Sequence, residues 1–155
     1  MPTRLVTFTF VVMTTLALAA CPDSETQKVA EGDYTVSDVQ GHDATDLAEI
    51  QAVTLAVDRS TRSAVFTLSG GSQLNATWSN TRGISGCPTM SGDTQLEVLE
   101  IEDATLVIGS MEFVNPVLTS TCDNDIVLRE ADSTVNNSGW CSEASDKCLL
   151  FEPAP

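Results

Sequence analysis

The only histidine of the chain, His42, opens the series His42-Asp43-x-x-Asp46-x-x-Glu49. On a helix, Asp46 and Glu49 fall on the same face as His42, so an imidazole and two carboxylates would converge as a divalent-ion site requires. A hard cation also asks for a glycine-shaped loop or closer oxygens, and a solvated helix face with Asp43 as its cap accounts for the same residues. Asp123-Asn124-Asp125 sets oxygens at alternate positions, as calcium loops do, but the remainder of the D-x-[DN]-x-[DN]-G-x5-E pattern is missing and a polar turn explains it equally. Glu100 and Glu102 share a strand face, the placement from which a glycosidase-like carboxylate pair is built. With 22 acidic residues, such pairs arise by chance. There is no G-x-S-x-G for a serine nucleophile, and one His without a C-x-x-C pair argues against zinc. The expectation is no catalytic residue, no metal and no cofactor. Tyr34, Phe66, Trp78, Phe113 and Trp140 read as core, or as the lining of an apolar pocket if the fold is an open-mouthed barrel.

The segment that carries an address lies at the N-terminus. Arg4 precedes an uncharged run from Leu5 to Ala20, interrupted by Thr7, Thr9, Thr14 and Thr15 and ending in Leu18-Ala19-Ala20-Cys21. A positive start, a short apolar middle and a small-residue boundary make a secretory signal, and the run is shorter than the about 20 apolar residues of a spanning helix. Leu18-Ala19-Ala20-Cys21 resembles the lipobox of bacterial lipoproteins. That resemblance implies cleavage before Cys21 and transfer of a diacylglyceryl group to its thiol, so that two or more acyl chains hold the protein on a membrane. The implied organisation is a signal peptide over 1–20, an acylated Cys with a flexible tether over 21–31, and a domain over 32–155. The implied location is the bacterial cell envelope, with the outer membrane as the expected address, although Pro22-Asp23 does not itself separate inner from outer.

Composition narrows the partners. Seven basic against 22 acidic residues leave a net charge of −15. Phosphate contacts need a basic surface, so nucleic acid is excluded as the default, and so is docking of the domain itself on anionic lipid. Scattered acids give a soluble, self-repelling surface.

With Cys21 acylated, Cys87, Cys122, Cys141 and Cys148 remain. An even number in an exported chain reads as two disulfides with three possible pairings. Proximity favours Cys141 with Cys148, leaving Cys87 with Cys122; the chain-entropy model gives these loops roughly 2.5 and 4 kcal/mol.

The elements that would position these residues are mostly strands. Tyr34, Val36 and Val39 lie in a short β-prone run, and a helical turn or two beginning near Asp43 turns Leu47 and Ile50 inward. Val53, Leu55 and Val57, then Ala64, Phe66 and Leu68, then Leu74, Ala76 and Trp78 alternate with polar residues, and Gly70-Gly71 marks a tight turn. This is a meander of two hairpins. Residues 80–93 read as a long loop held by Cys87. A strand over 94–101 turns at 102–104 and returns through 105–108; Met111, Phe113 and Val114 start another that lies at an edge or bends at Pro116. Ile126–Arg129 is a last strand, and Leu149-Leu150-Phe151 packs back onto the domain. The sum is an all-β domain, an antiparallel barrel or sandwich with one short helix at most. Its opening Gly32-x-Tyr34-Thr35-Val36, the meander and Ile126-Val127-Leu128-Arg129 resemble the small lipocalin-like domains of bacterial lipoproteins. The expected function is a non-catalytic binding or structural module tethered through Cys21, with a protein or small apolar molecule as partner. A lipocalin-like carrier is the alternative, and a hydrolase the more distant one.

Overall fold

A computed structural model of the protein describes residues 25–41, 45–102 and 105–155. Cys21 with its lipobox, His42 and Asp43 lie outside the described residues. The strands are β1 (Thr26–Gln27), β2 (Gly32–Gln40), β3 (Thr54–Asp58), β4 (Ser63–Thr67), β5 (Gln73–Thr89), β6 (Gly92–Ile101), β7 (Thr105–Ile108), β8 (Met111–Val114), β9 (Pro116–Ser120), β10 (Ile126–Glu130) and β11 (Cys148–Pro153); the helix α1 is Leu47–Gln51. Eight of them close an antiparallel barrel in the order β6-β5-β4-β3-β2-β11-β10-β9, sealed by pairing of β9 with β6. Barrel closure removes the edges that an open sheet would expose.

The meander forms as its period-two pattern predicts. Leu55 faces Phe66 across β3–β4, and Phe66 faces Leu74 across β4–β5. Of the two glycines at the β4–β5 turn only Gly71 takes a positive φ, +82°. Inward side chains make one contiguous apolar cluster that includes Tyr34, Leu55, Phe66, Trp78, Leu99, Leu118, Leu128 and Phe151. Phe66 and Phe151 meet edge to face across it, with ring centroids 6.1 Å apart.

One end of the barrel, where β2 runs into α1, is plugged. β7 and β8 form a separate hairpin whose Leu106, Ile108, Met111 and Phe113 point into the cluster, beside Ile50 of α1. Asp46 fastens this plug by accepting the Ser110 N–H at 2.6 Å, and Gly109 (φ +58°) brings the hairpin backbone against Ile50.

Three expectations are corrected, and the choice between an edge and a bend at Pro116 is decided. β7 does not return along β6: β6 already has β5 on one side and β9 on the other, so β7 pairs forward with β8. The region 80–93 is not a loop but the continuation of β5 and the start of β6, because β6 supplies hydrogen-bond partners as far as Thr89. The chain does bend before Pro116, at Asn115 (φ +48°), but β9 is buried throughout rather than at an edge. The stretch 25–31 is not a flexible tether: β1 pairs in parallel with β6, Gln95 N donates to Glu25 O at 3.0 Å, and Val29 is buried. Its polar composition concealed one apolar anchor and a run of backbone bonds.

The Leu149-Leu150-Phe151 triplet does more than pack back. As β11 it fills the gap between β2 and β10. Both disulfides form as favoured, Cys87 with Cys122 and Cys141 with Cys148.

Candidate functional site

The most developed polar arrangement lies at the end of the barrel opposite the plug. Glu97 sits on β6 in phase with Leu99 and Ile101, so its carboxylate points inward, where Arg59 of the β3–β4 turn meets it. Arg59 Nη1 donates to Glu97 Oε2 at 2.8 Å and Nη2 to Oε1 at 2.9 Å. Val29 crosses between them, its N–H donating to Glu97 Oε2 at 2.8 Å and its carbonyl accepting from Arg59 Nη1 at 2.7 Å. Ser120 Oγ donates to Gln27 O at 2.5 Å and accepts the Glu97 N–H at 2.9 Å. The hydrogen bond to Glu97 holds the Arg59 guanidinium above its ordinary range, against the opposing effect of burial. A carboxylate engaged by three donors is no general base; this is a latch that fastens the entering chain across the barrel.

A second polar arrangement lies outside the wall. Arg129 faces outward from β10 yet is almost wholly buried, beneath the excursion between Ala131 and Lys147. Its Nε donates to Thr119 Oγ1 at 3.1 Å, and its Nη1 to the carbonyls of Glu130 and Ser133, each at 3.0 Å. Burial pulls its pKa down to about 10, helped by the charge of Arg82 and opposed by Asp146 and Asp132. The side chain pins the excursion to the barrel. Farther along, the excursion covers the first disulfide: Cys87 N donates to Asn137 O at 2.7 Å and Cys122 N to Ser138 O at 3.2 Å.

The residues singled out in the sequence are scattered. Asp46 fastens the plug, and among the described residues no group of His, Cys, Asp and Glu is placed to hold a metal. Asp123-Asn124-Asp125 forms a turn closed on Thr121, whose hydroxyl accepts the N–H groups of Asp123 and Asp125 at 3.2 and 3.1 Å. Burial, then Glu152 and Asp123, push the Asp125 carboxyl above its usual value. Glu100 pairs with Arg82 at 3.2 Å, while Glu102 accepts from the Thr77 hydroxyl at 2.6 Å, so the two do not face a common cleft. Tyr34, Phe66, Trp78 and Phe113 belong to the interior cluster, whereas Trp140 packs outside it, against the group formed by Val127, Cys141 and Cys148. A shallow cleft of about 160 Å³ is lined by Val114, Asn115, Glu130, Ala131 and Asp132. Glu130 there accepts the Val114 N–H at 2.9 Å and stands 3.6 Å from the Lys147 ammonium.

Sequence reasoning missed Arg59, Glu97 and Arg129. A usable signal existed for two of them: Glu97 lies within Leu96-Glu97-Val98-Leu99 and Arg129 ends Ile126-Val127-Leu128, each a charge in an apolar run, whereas Arg59 in Asp58-Arg59-Ser60-Thr61 looks like any turn residue.

In the long β5–β6 hairpin β5 is largely exposed, whereas β6 is buried from Leu96 to Leu99. β5 pairs with β4 only from Gln73 to Thr77 and afterwards with β6 alone, so beyond Trp78 it stands away from the meander. Met90 at its turn is fully exposed, as are, in part, Val107 and Val114 on the outer face of the β7–β8 hairpin. Comparison of the chain with protein-family models, with curated proteins and with solved structures finds no match in any of the three.

Proposed function

We propose that this protein is a membrane-anchored envelope lipoprotein whose barrel serves as a non-catalytic binding or structural module. The observation that carries the module reading is the occupied interior. The space that a carrier would keep for its ligand holds Phe66, Phe113, Phe151 and their neighbours, each essentially inaccessible to solvent. A carrier would have to displace these rings, and their close packing opposes that. Against catalysis, the inward carboxylate is held by three donors and the four described cysteines are oxidised. The anchor rests on the Leu18-Ala19-Ala20-Cys21 motif, and two disulfides fit a chain matured in an oxidising compartment.

The test is intact-mass spectrometry on protein extracted from membranes of its native host or of a bacterial host. The expected result is a chain beginning at Cys21 with a diacylglyceryl adduct and no retained apolar ligand, and a Cys21→Ser variant that leaves the membrane fraction. A free, unmodified Cys21 thiol overturns the anchor, and a stoichiometric lipid or other apolar molecule held within the barrel overturns the module in favour of the carrier.

A further inference from the structure

We infer that the tip of the β5–β6 hairpin, Thr89 to Gly92 with Met90 at its apex, is the part of the barrel that rests on the lipid bilayer. The inference rests on the anchor reading of Cys21 and deepens it by giving the domain an orientation.

Three observations converge on the tip. First, β1 is parallel to β6, with Thr26 opposite Gln95 and Gln27 opposite Leu96. Traced backwards, the chain therefore leaves β1 in the direction in which β6 runs back to its turn, towards Met90. Second, Cys21 stands four residues before Glu25, whose carbonyl is fixed to Gln95 N. A fully extended chain of that length reaches at most about 14 Å, while the step from Thr94 back to the turn covers roughly 10 Å of strand. The anchor and the hairpin tip thus share one short radius. Third, the tip is suited to the interface. Thr89, Met90, Ser91 and Gly92 carry no charge, the hydroxyls of Thr89 and Ser91 lie 3.2 Å apart, Thr89 also donates to the Gly92 carbonyl, and the Met90 side chain has no protein contact to lose.

The same end also bears acids, which anionic headgroups would repel: Asp93 directly behind the tip, where it accepts from the Ser85 hydroxyl at 2.9 Å, and Glu31, Asp33, Asp58, Asp125 and Glu152 on the rim. Asp93 restricts the contact to neutral headgroups, and the hairpin handles the rim acids by its length. From Glu97 to Gly92 it projects about 17 Å of strand past the Arg59–Glu97 latch, which exceeds the Debye length of about 10 Å at 0.1 M salt. The rim is held off the surface while a single neutral, polarizable side chain touches it. The plugged end, with Val107 and Val114 on its outer face, then points away from the membrane.

The test uses the full lipidated chain in phosphatidylcholine vesicles, with Met90→Trp and Val107→Trp variants compared in ordinary and in brominated phosphatidylcholine. Relative to the unsubstituted protein, the emission added by Trp at 90 is expected to be largely quenched by the brominated lipid, and that added at 107 unaffected. Vesicle-bound protein with position 90 unquenched, or with position 107 quenched as strongly, overturns the orientation and leaves the anchor standing. Protein that does not partition into vesicles, and whose Cys21 is unmodified by mass, overturns both.

Discussion

At one end of the barrel Ile50, Leu106, Ile108, Met111 and Phe113 close the interior with apolar side chains, whereas at the other Arg59 and Glu97 close it with charges. Apart from the Asp46–Ser110 hydrogen bond, the plug works by burial and tolerates imprecision, because apolar contacts are non-directional. The latch works by geometry, since a carboxylate taken from water must meet its donors at hydrogen-bond distance or cost several kcal/mol. The consequence is that the plug can be formed by a semi-independent hairpin. The latch needs β1, β6, β9 and the β3–β4 turn in register together.

The largest perturbation is expected at the plug. Phe113→Ala removes a fully buried ring and should destabilise the fold by about 3–5 kcal/mol in urea unfolding; a loss below about 1 kcal/mol would mean the hairpin is a dispensable lid. Next comes the covalent tie at the polar end. Replacing Cys87 and Cys122 together by Ala opens a loop of 35 residues' separation and should cost about 2–4 kcal/mol, seen as a lower urea midpoint than that of the oxidised parent. Glu97→Ala leaves the Val29 N–H and the Arg59 guanidinium without their acceptor. Because the Arg59 side chain is one-third exposed and can rehydrate, the expected loss is about 2 kcal/mol, with amide exchange at Val29 accelerating more than at Phe113. Equal acceleration at both ends would dissolve the distinction between them.

A smaller effect of opposite sign sits on the same polar rim. Asp125 has its pKa raised by burial and by neighbouring acids, so the folded state binds its proton more tightly than the unfolded one. Its charge therefore weakens the fold at neutral pH, and its contribution improves as pH falls through the raised value towards that of a free carboxyl. Asp125→Asn should stabilise at pH 7 and show less gain on mild acidification than the parent; an unchanged pH profile would remove Asp125 from the account. Smallest of all, Met90→Ser should leave the unfolding midpoint of the water-soluble domain within about 0.5 kcal/mol of the parent.

The contrast between the ends also explains what was legible. The plug's inward residues were visible as apolar positions, yet their pairing was not: Thr105 to Ile108 reads equally well as a return along β6, and only the prior claim of β5 and β9 on β6 decides otherwise. The meander from Leu55 to Trp78 was readable because period two fixes both face and register. The β5 extension through Asn80-Thr81-Arg82-Gly83 was not, since a strand with little burial has no hydrophobic pattern to display. Of the latch nothing was read, because three residues spread from Val29 to Glu97 become neighbours only after closure. The weighed pair Glu100–Glu102 shows the reverse problem, proximity in sequence without convergence on a common cleft.

The position of β11 sets the order of events when the chain emerges N-terminus first. The strand that separates β2 from β10 follows every other barrel strand in sequence, so a nascent polypeptide holds one open gap, with two bare margins, until Cys148–Pro153 arrives. A product truncated before Cys148 leaves β2 and β10 each with a raw backbone margin, a sticky intermediate that quality-control proteases can recognise.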